Sequence, residues 1–212
     1  MCHTFIDHFY PGEQYFRLIG NNYEYAYCEG LSLEQYQSEM NGKIKGVGMQ
    51  LLPQYARSAS GIKSMNHLKK DFETNPEWAI RTITPMLLHD VGVSAAYIDK
   101  STVSKLWKIQ DGANFKDAEF SGYWTGPGVK SNSSKVLISI YHWEKPAPYK
   151  VILAVANMGR SEQPAALEID WKKLGVSLDS ELHELWLDKS LTKKDLQSFK
   201  LKGNHFMLIG IK

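Results

Sequence analysis

Four side chains in the first half of this 212-residue chain have types and positions that suit binding or proton chemistry: Glu13, Tyr15, Asp90 and Asp99. Glu13 follows Pro11-Gly12, which stops an apolar stretch (Phe5, Ile6, Phe9, Tyr10) readable as a buried strand. A carboxylate just past a strand is where a parallel α/β barrel keeps its chemistry, at the C-terminal mouth. A solvated loop acid explains Glu13 equally well. Tyr15 opens an aromatic-rich stretch, Tyr15 to Gly30, that reads as an ordered loop lining a cleft or packed over a rim. Asp99 follows the strand candidate Val91–Ile98 and could line the same mouth, although a helix N-cap is the favoured reading. His89-Asp90 precedes that strand; a histidine on a helix dipole and a turn-capping aspartate are favoured there.

Other chemistries lack their motifs. There is no Gly-rich phosphate loop, no His-Glu-x-x-His, no cysteine pair with zinc spacing and no Gly-x-Ser-x-Gly elbow, so neither a cofactor nor a metal is expected. Gly46-Val47-Gly48 lacks the third glycine of a dinucleotide pattern. The two cysteines, Cys2 and Cys28, could pair but leave the compartment undetermined. A net charge of +2, with the lysines dispersed in short clusters, argues against a nucleic-acid groove. The N-terminus lacks a basic region and a long apolar run, and no apolar stretch approaches the ~20 residues of a membrane helix. The chain starts abruptly, as a complete domain or a fragment can. Oligomeric state is not legible.

The elements that must position these residues change character along the chain. Ser32 and Gln35 have capping-box spacing, and their helix should run to about Met40 before Asn41-Gly42. A short strand is expected within Lys43 to Gln54, then a loop or irregular helix over Arg57 to Lys70. Thr74-Asn75-Pro76-Glu77 announces a helix with Thr74 as its cap, which Pro85 should kink or end. Val103, Leu106, Trp107 and Gln110 mark one face of another helix, stopped by Asp111-Gly112. Helix, strand and helix over residues 75 to 112 fit βα units.

Asp117 to Trp124 is the seam. It reads as a strand with a bulge or a close backbone approach at Gly122. Beyond it come strand candidates at Lys135–Trp143, Lys150–Asn157, Ala165–Trp171, Leu182–Leu187, Leu196–Leu201 and His205–Ile211. Regularly spaced short strands predict an antiparallel β-sandwich. The expected fold is therefore α/β followed by all-β, with residues 1–116 one unit and 117–212 the other. Trp124 and Trp143 are expected to pack in the core or between units.

The seam, with the Leu106-Trp107-Lys108 helix before it, resembles the join in a bacterial group of glycoside-hydrolase-like proteins related to glycoside hydrolase family 123. Tyr10-Pro11-Gly12-Glu13-Gln14-Tyr15, Leu167 to Gly175, and Phe206 to Ile211 match in the same style. The resemblance implies a TIM-barrel catalytic domain followed by a small C-terminal β-sandwich, and a carbohydrate substrate such as an N-acetylhexosaminide. It implies a secreted or periplasmic parent. A full barrel takes ~250 residues, so residues 1–116 would be its last βα units. Hydrolysis in the resembled family is substrate-assisted and uses two adjacent carboxylates. No adjacent acid pair precedes the seam; Asp71 and Glu73 come nearest. The catalytic pair is then expected upstream, and this chain alone is expected to be inactive. Glu13 would hold sugar hydroxyls and Tyr15 would stack on a ring or donate a hydrogen bond, with Asp90 and Asp99 as further substrate-binding candidates. A non-catalytic carbohydrate-binding or structural β-sandwich is the alternative.

Overall fold

The computed structural model describes residues 8–9, 18–19, 24–25, 32–39, 48–51 and 69–212. By internal contacts the chain divides into two units, Met1–Ser104 and Lys105–Lys212. The division falls inside a helix, Lys100–Gly112.

In the first unit three short strands form one parallel set: β1 (His8–Phe9) pairs with β4 (Gly48–Leu51), which pairs with β5 (Gly92–Val93). Between β1 and β4 lie an antiparallel pair, β2 (Leu18–Ile19) and β3 (Glu24–Tyr25), and a helix over Leu33–Glu39. The capping box at that helix is formed: Ser32 N donates to Gln35 Oε1 at 3.0 Å, and Gln35 N donates to Ser32 Oγ at 3.2 Å. Parallel strands need crossover connections, usually helical, and helices Lys69–Thr74 and Pro76–Leu88 lie between β4 and β5.

Three local expectations need correction here. The segment that carries Asp71 and Glu73, read from the sequence as loop, is helical over Lys69–Thr74. The cap of the next helix is Asn75, whose side-chain oxygen accepts from Glu77 N at 3.0 Å. Thr74 instead closes the preceding helix by donating from Oγ1 to Lys70 O at 2.8 Å. The helix also passes through Pro85 to Leu88. A mid-helix proline costs ~3 kcal/mol, but residues 82–88 are all buried, and the apolar area they remove from water outweighs a single lost bond.

The second unit is all-β apart from its leading helix, two single 3₁₀ turns and one short helix. Six strands form one antiparallel sheet in the order β13-β12-β15-β9-β8-β6. They are β6 (Glu119–Ser121), β8 (Val136–His142), β9 (Val151–Asn157), β12 (Leu182–Glu184), β13 (Lys189–Leu191) and β15 (Phe206–Ile211). Two antiparallel pairs complete the unit: β7 (Val129–Ser131) with β11 (Leu167–Ile169), and β10 (Gln163–Ala165) with β14 (Phe199–Leu201).

Alternation decides which side chains meet. On one face of the sheet Val136, Ile138 and Ile140 stand beside Val151, Leu153 and Val155, then Ile209 and Ile211. These pack into one core with Val129, Ala165, Leu167, Leu174, Leu196 and Leu201 from the elements opposite. The other face is also buried. Ser139, Tyr141, Ile152, Ala154 and Leu208 lie there, and Phe115 and Phe120 close on Tyr141 at 4.6 and 5.2 Å between ring centroids. Covered on both sides, β9 reads as an unbroken apolar run, and all seven of its residues are buried.

The seam is shorter than expected. Only Glu119–Ser121 is a strand, and Tyr123–Thr125 is a single 3₁₀ turn. Gly122 does mark a close approach, made by a side chain: the Trp124 ring lies where a Cβ would come within 2.4 Å of it. Trp143 is 2% exposed and donates from Nε1 to Asn114 O at 2.9 Å. The strand expected over Leu196–Leu201 starts as a helix, Lys193–Gln197, with a capping box between Thr192 and Asp195.

Candidate functional site

Residues that follow β5 in the chain line a surface cleft of the first unit. Its volume is 580 Å³, and Glu73, Tyr97, Asp99 and Ser101 line it with Ala96, Ile98 and Lys100. The strand expected to run from Val91 to Ile98 stops at Val93. The Ser94 hydroxyl accepts from Ala96 N at 3.3 Å and turns the chain, so the following residues wrap the cleft instead of continuing the sheet.

Asp99 takes the N-cap role. Its Oδ2 accepts from Thr102 N at 2.7 Å and from Ser101 Oγ at 2.6 Å, while its carbonyl accepts from Val103 N at 3.4 Å. Burial pushes the Asp99 carboxyl up, but the hydrogen bonds from Ser101 and Thr102 together outweigh it and hold the group below the usual aspartate range. The oxygen that caps the helix is thus occupied, and the charge stays at the helix N-terminus, where it is favourable.

The nearest approach to an acid pair separates into two unlike residues. Asp71 is consumed locally: Oδ2 accepts from Trp78 Nε1 at 2.7 Å, and Oδ1 from Asn75 Nδ2 at 3.1 Å. Glu73 is exposed at the cleft, and among the described residues no hydrogen bond or ion pair engages its carboxylate. Glu73 and Tyr97 are cleft residues that the sequence did not single out for this place. Residues 93–98 resemble a strand by composition, which hides the turn that exposes Tyr97.

His89 and Asp90 lie at the end of the Pro76–Leu88 helix and do not line this cleft. His89 is fully buried; Nδ1 lies 2.7 Å from Pro85 O, and the ring stacks on Tyr36 at 5.0 Å. Burial lowers its pKa to about 4, against a smaller upward pull from the Pro85 carbonyl. At neutral pH the ring is therefore uncharged, and a neutral Nδ1–H can donate to that helix-end carbonyl. Asp90 is the left-handed residue after the helix, at φ 55°. With Val91 N donating to Met86 O at 3.0 Å, it closes a Schellman turn in the place usually held by glycine. Glu13 and Tyr15 lie outside the described residues.

Two buried polar residues of the second unit do structural work. Asn157 Nδ2 donates to Ser161 O at 2.9 Å and Leu201 O at 2.8 Å, while Oδ1 accepts from Gly159 N at 2.8 Å. The Glu184 carboxylate accepts from the backbone of Trp186, Leu187 and Leu208. Among the described residues no group of three or more His, Cys, Asp or Glu is placed to hold a metal ion, and no helix is long and apolar enough to cross a membrane.

An antiparallel, two-layered module led in by a helix, after a segment with parallel strands in the chain, defines the class: a mostly β chain with an all-β C-terminal unit. Residues 102–200, just under half of the chain, match the glycoside hydrolase 123 C-terminal domain, so this stretch is similar to that domain. No curated protein matches the chain. Among solved structures, a glycoside hydrolase family 27 β-L-arabinopyranosidase from Geobacillus stearothermophilus aligns at 10% identity and TM-score 0.43, over 66% of this chain and 30% of that one. A variant of that enzyme in complex with arabinose aligns at 12% identity and TM-score 0.42, over 66% and 31%. An Anoxybacillus α-amylase aligns at 10% identity and TM-score 0.39, over 76% and 47%. The chain spans about a third of the arabinopyranosidase's length.

Proposed function

We propose that the chain is the C-terminal portion of a glycoside hydrolase acting on N-acetylhexosaminides. In this reading residues 1–116 are the last βα units of a TIM barrel and residues 117–212 an accessory β-sandwich. The match of residues 102–200 to the glycoside hydrolase 123 C-terminal domain carries the reading. The parallel pairing β1-β4-β5, with helices between β4 and β5, supports the barrel part, because parallel strands joined through helices are its building unit.

Retaining and inverting hydrolysis need two carboxylates ~5–9.5 Å apart, unless the substrate supplies its own nucleophile. Asp71 and Asp99 are each tied into local caps and hydrogen bonds, and no adjacent acid pair precedes residue 117 in the sequence. The reacting carboxylates then belong to the preceding part of the parent protein. This chain contributes the mouth residues, with Glu13 and Tyr15 among them, and the accessory sandwich. The test compares the 212-residue chain with the product of the gene extended upstream, on an aryl N-acetylgalactosaminide. Turnover is expected from the extended protein only. Turnover by the short chain, or none by the extended protein on any aryl N-acetylhexosaminide, refutes the reading.

A further inference from the structure

We infer that Tyr97 is a platform for the apolar face of a sugar ring, in the cleft that Glu73 and Asp99 flank; this rests on the glycosidase reading above. Five non-glycine residues among those described have a positive φ: Asp90, Tyr97, Asn114, Asp188 and Asn204. Four are Asp or Asn, whose short polar side chains tolerate the left-handed region by bonding locally. Tyr97, at φ 66°, has no such means, and a bulky residue there is an outlier. Packing does not explain the choice, because Tyr97 is only partly buried while its neighbour Ile98, 1% exposed, takes the core position.

The same backbone turn sets Tyr97 in the wall of a 580 Å³ cleft. An aromatic face with a hydroxyl at its edge suits a pyranose, which offers a patch of C–H groups on one side and hydroxyls around its rim. Glu73, exposed and lining the same cleft, supplies an acceptor for such hydroxyls. Residues held in sparsely populated backbone conformations cluster at ligand clamps and active sites.

The experiment is saturation-transfer NMR of the 212-residue chain with the methyl β-glycoside of N-acetylgalactosamine, alongside thermal melts. Tyr97→Phe keeps the ring. Tyr97→Asn removes it and leaves a residue at home in the left-handed region. The expected result is transfer to the ring protons of the sugar in wild type and in Tyr97→Phe, weakened about fivefold in Tyr97→Asn, as an aromatic contact's worth implies. The melting temperature of Tyr97→Asn should equal or exceed wild type. Undiminished transfer in Tyr97→Asn, silence in wild type, or a lowered melting temperature in Tyr97→Asn each overturns the inference. Hydrolysis by the extended protein, together with any of these, leaves the glycosidase reading standing and removes only the role of Tyr97.

Discussion

The buried His89 makes stability depend on pH in a way that can be worked out in advance. The residue is fully buried against Tyr36 and has a pKa lowered to about 4 from the ordinary 6.5. In the unfolded chain the imidazole takes up a proton near its ordinary value, whereas the folded chain resists until about pH 4. Between these limits the unfolded state binds more protons, so stability falls as pH falls. The contribution is complete above the ordinary value and fully lost below the folded one. At ~1.4 kcal/mol per pH unit the whole loss is about 3 kcal/mol, of which about 2 kcal/mol has gone by pH 5. For a unit of about 100 residues that is a drop of roughly 8–16 °C in melting temperature. The assay is far-ultraviolet circular dichroism melting at neutral pH and at about pH 5, for wild type and His89→Gln. Glutamine can still donate to Pro85 O but cannot be protonated. The variant should lose less on acidification, by about 2 kcal/mol, than wild type. Equal losses in the two proteins would refute the reasoning, because they would place the acid sensitivity elsewhere.

Three further outcomes follow from named contacts. Asn157→Ala leaves the Gly159 amide and the Ser161 and Leu201 carbonyls, the last of them in a buried bond, without the partner that Asn157 now supplies, and urea melts should show a loss of about 2–4 kcal/mol. Gly203→Ala would set a Cβ 2.3 Å from the Arg160 carbonyl oxygen, a backbone atom that cannot swing away; the second unit should lose more than about 2 kcal/mol, measured the same way. Asp99→Ala removes the N-cap of Lys100–Gly112 at a cost of about 1 kcal/mol at neutral pH. Because the Asp99 carboxyl is held below its usual range, its contribution fades as pH falls through the folded value, so the gap between variant and wild type should narrow in acid.

What the sequence made legible follows the strength of the local physics. The strands β8, β9 and β15 were readable because short apolar or alternating runs, such as Val151 to Ala156 and Val136, Ile138 and Ile140, stand between clear turn residues. The Ser32–Gln35 box and the Asp99 cap were readable because each closes within three residues. Misreadings occurred where tertiary burial overrode a local rule. Pro85 was expected to kink or end its helix; the helix does not end there, and the buried side chains around it hold it through Leu88. Leu196 looked like strand material, yet the Thr192–Asp195 box turns Lys193–Gln197 into a helix that still buries Leu196.

Tyr97 sets the boundary of what pattern alone can reveal. Ala95-Ala96-Tyr97-Ile98 has strand composition, and no periodicity distinguishes a strand from a turn that happens to carry the same residues. The turn exists because the Ser94 hydroxyl captures Ala96 N and Asp99 captures the start of the next helix. Between those two fixed points the chain has little freedom, and Tyr97 absorbs the mismatch with a positive φ. A folding-only optimum would put glycine or asparagine there. The same logic covers Asp90, where an aspartate does stand in for glycine at a helix end, and it marks the difference between the two positions. One strained residue completes a Schellman turn with its backbone, whereas the other brings an aromatic side chain into the lining of a cleft.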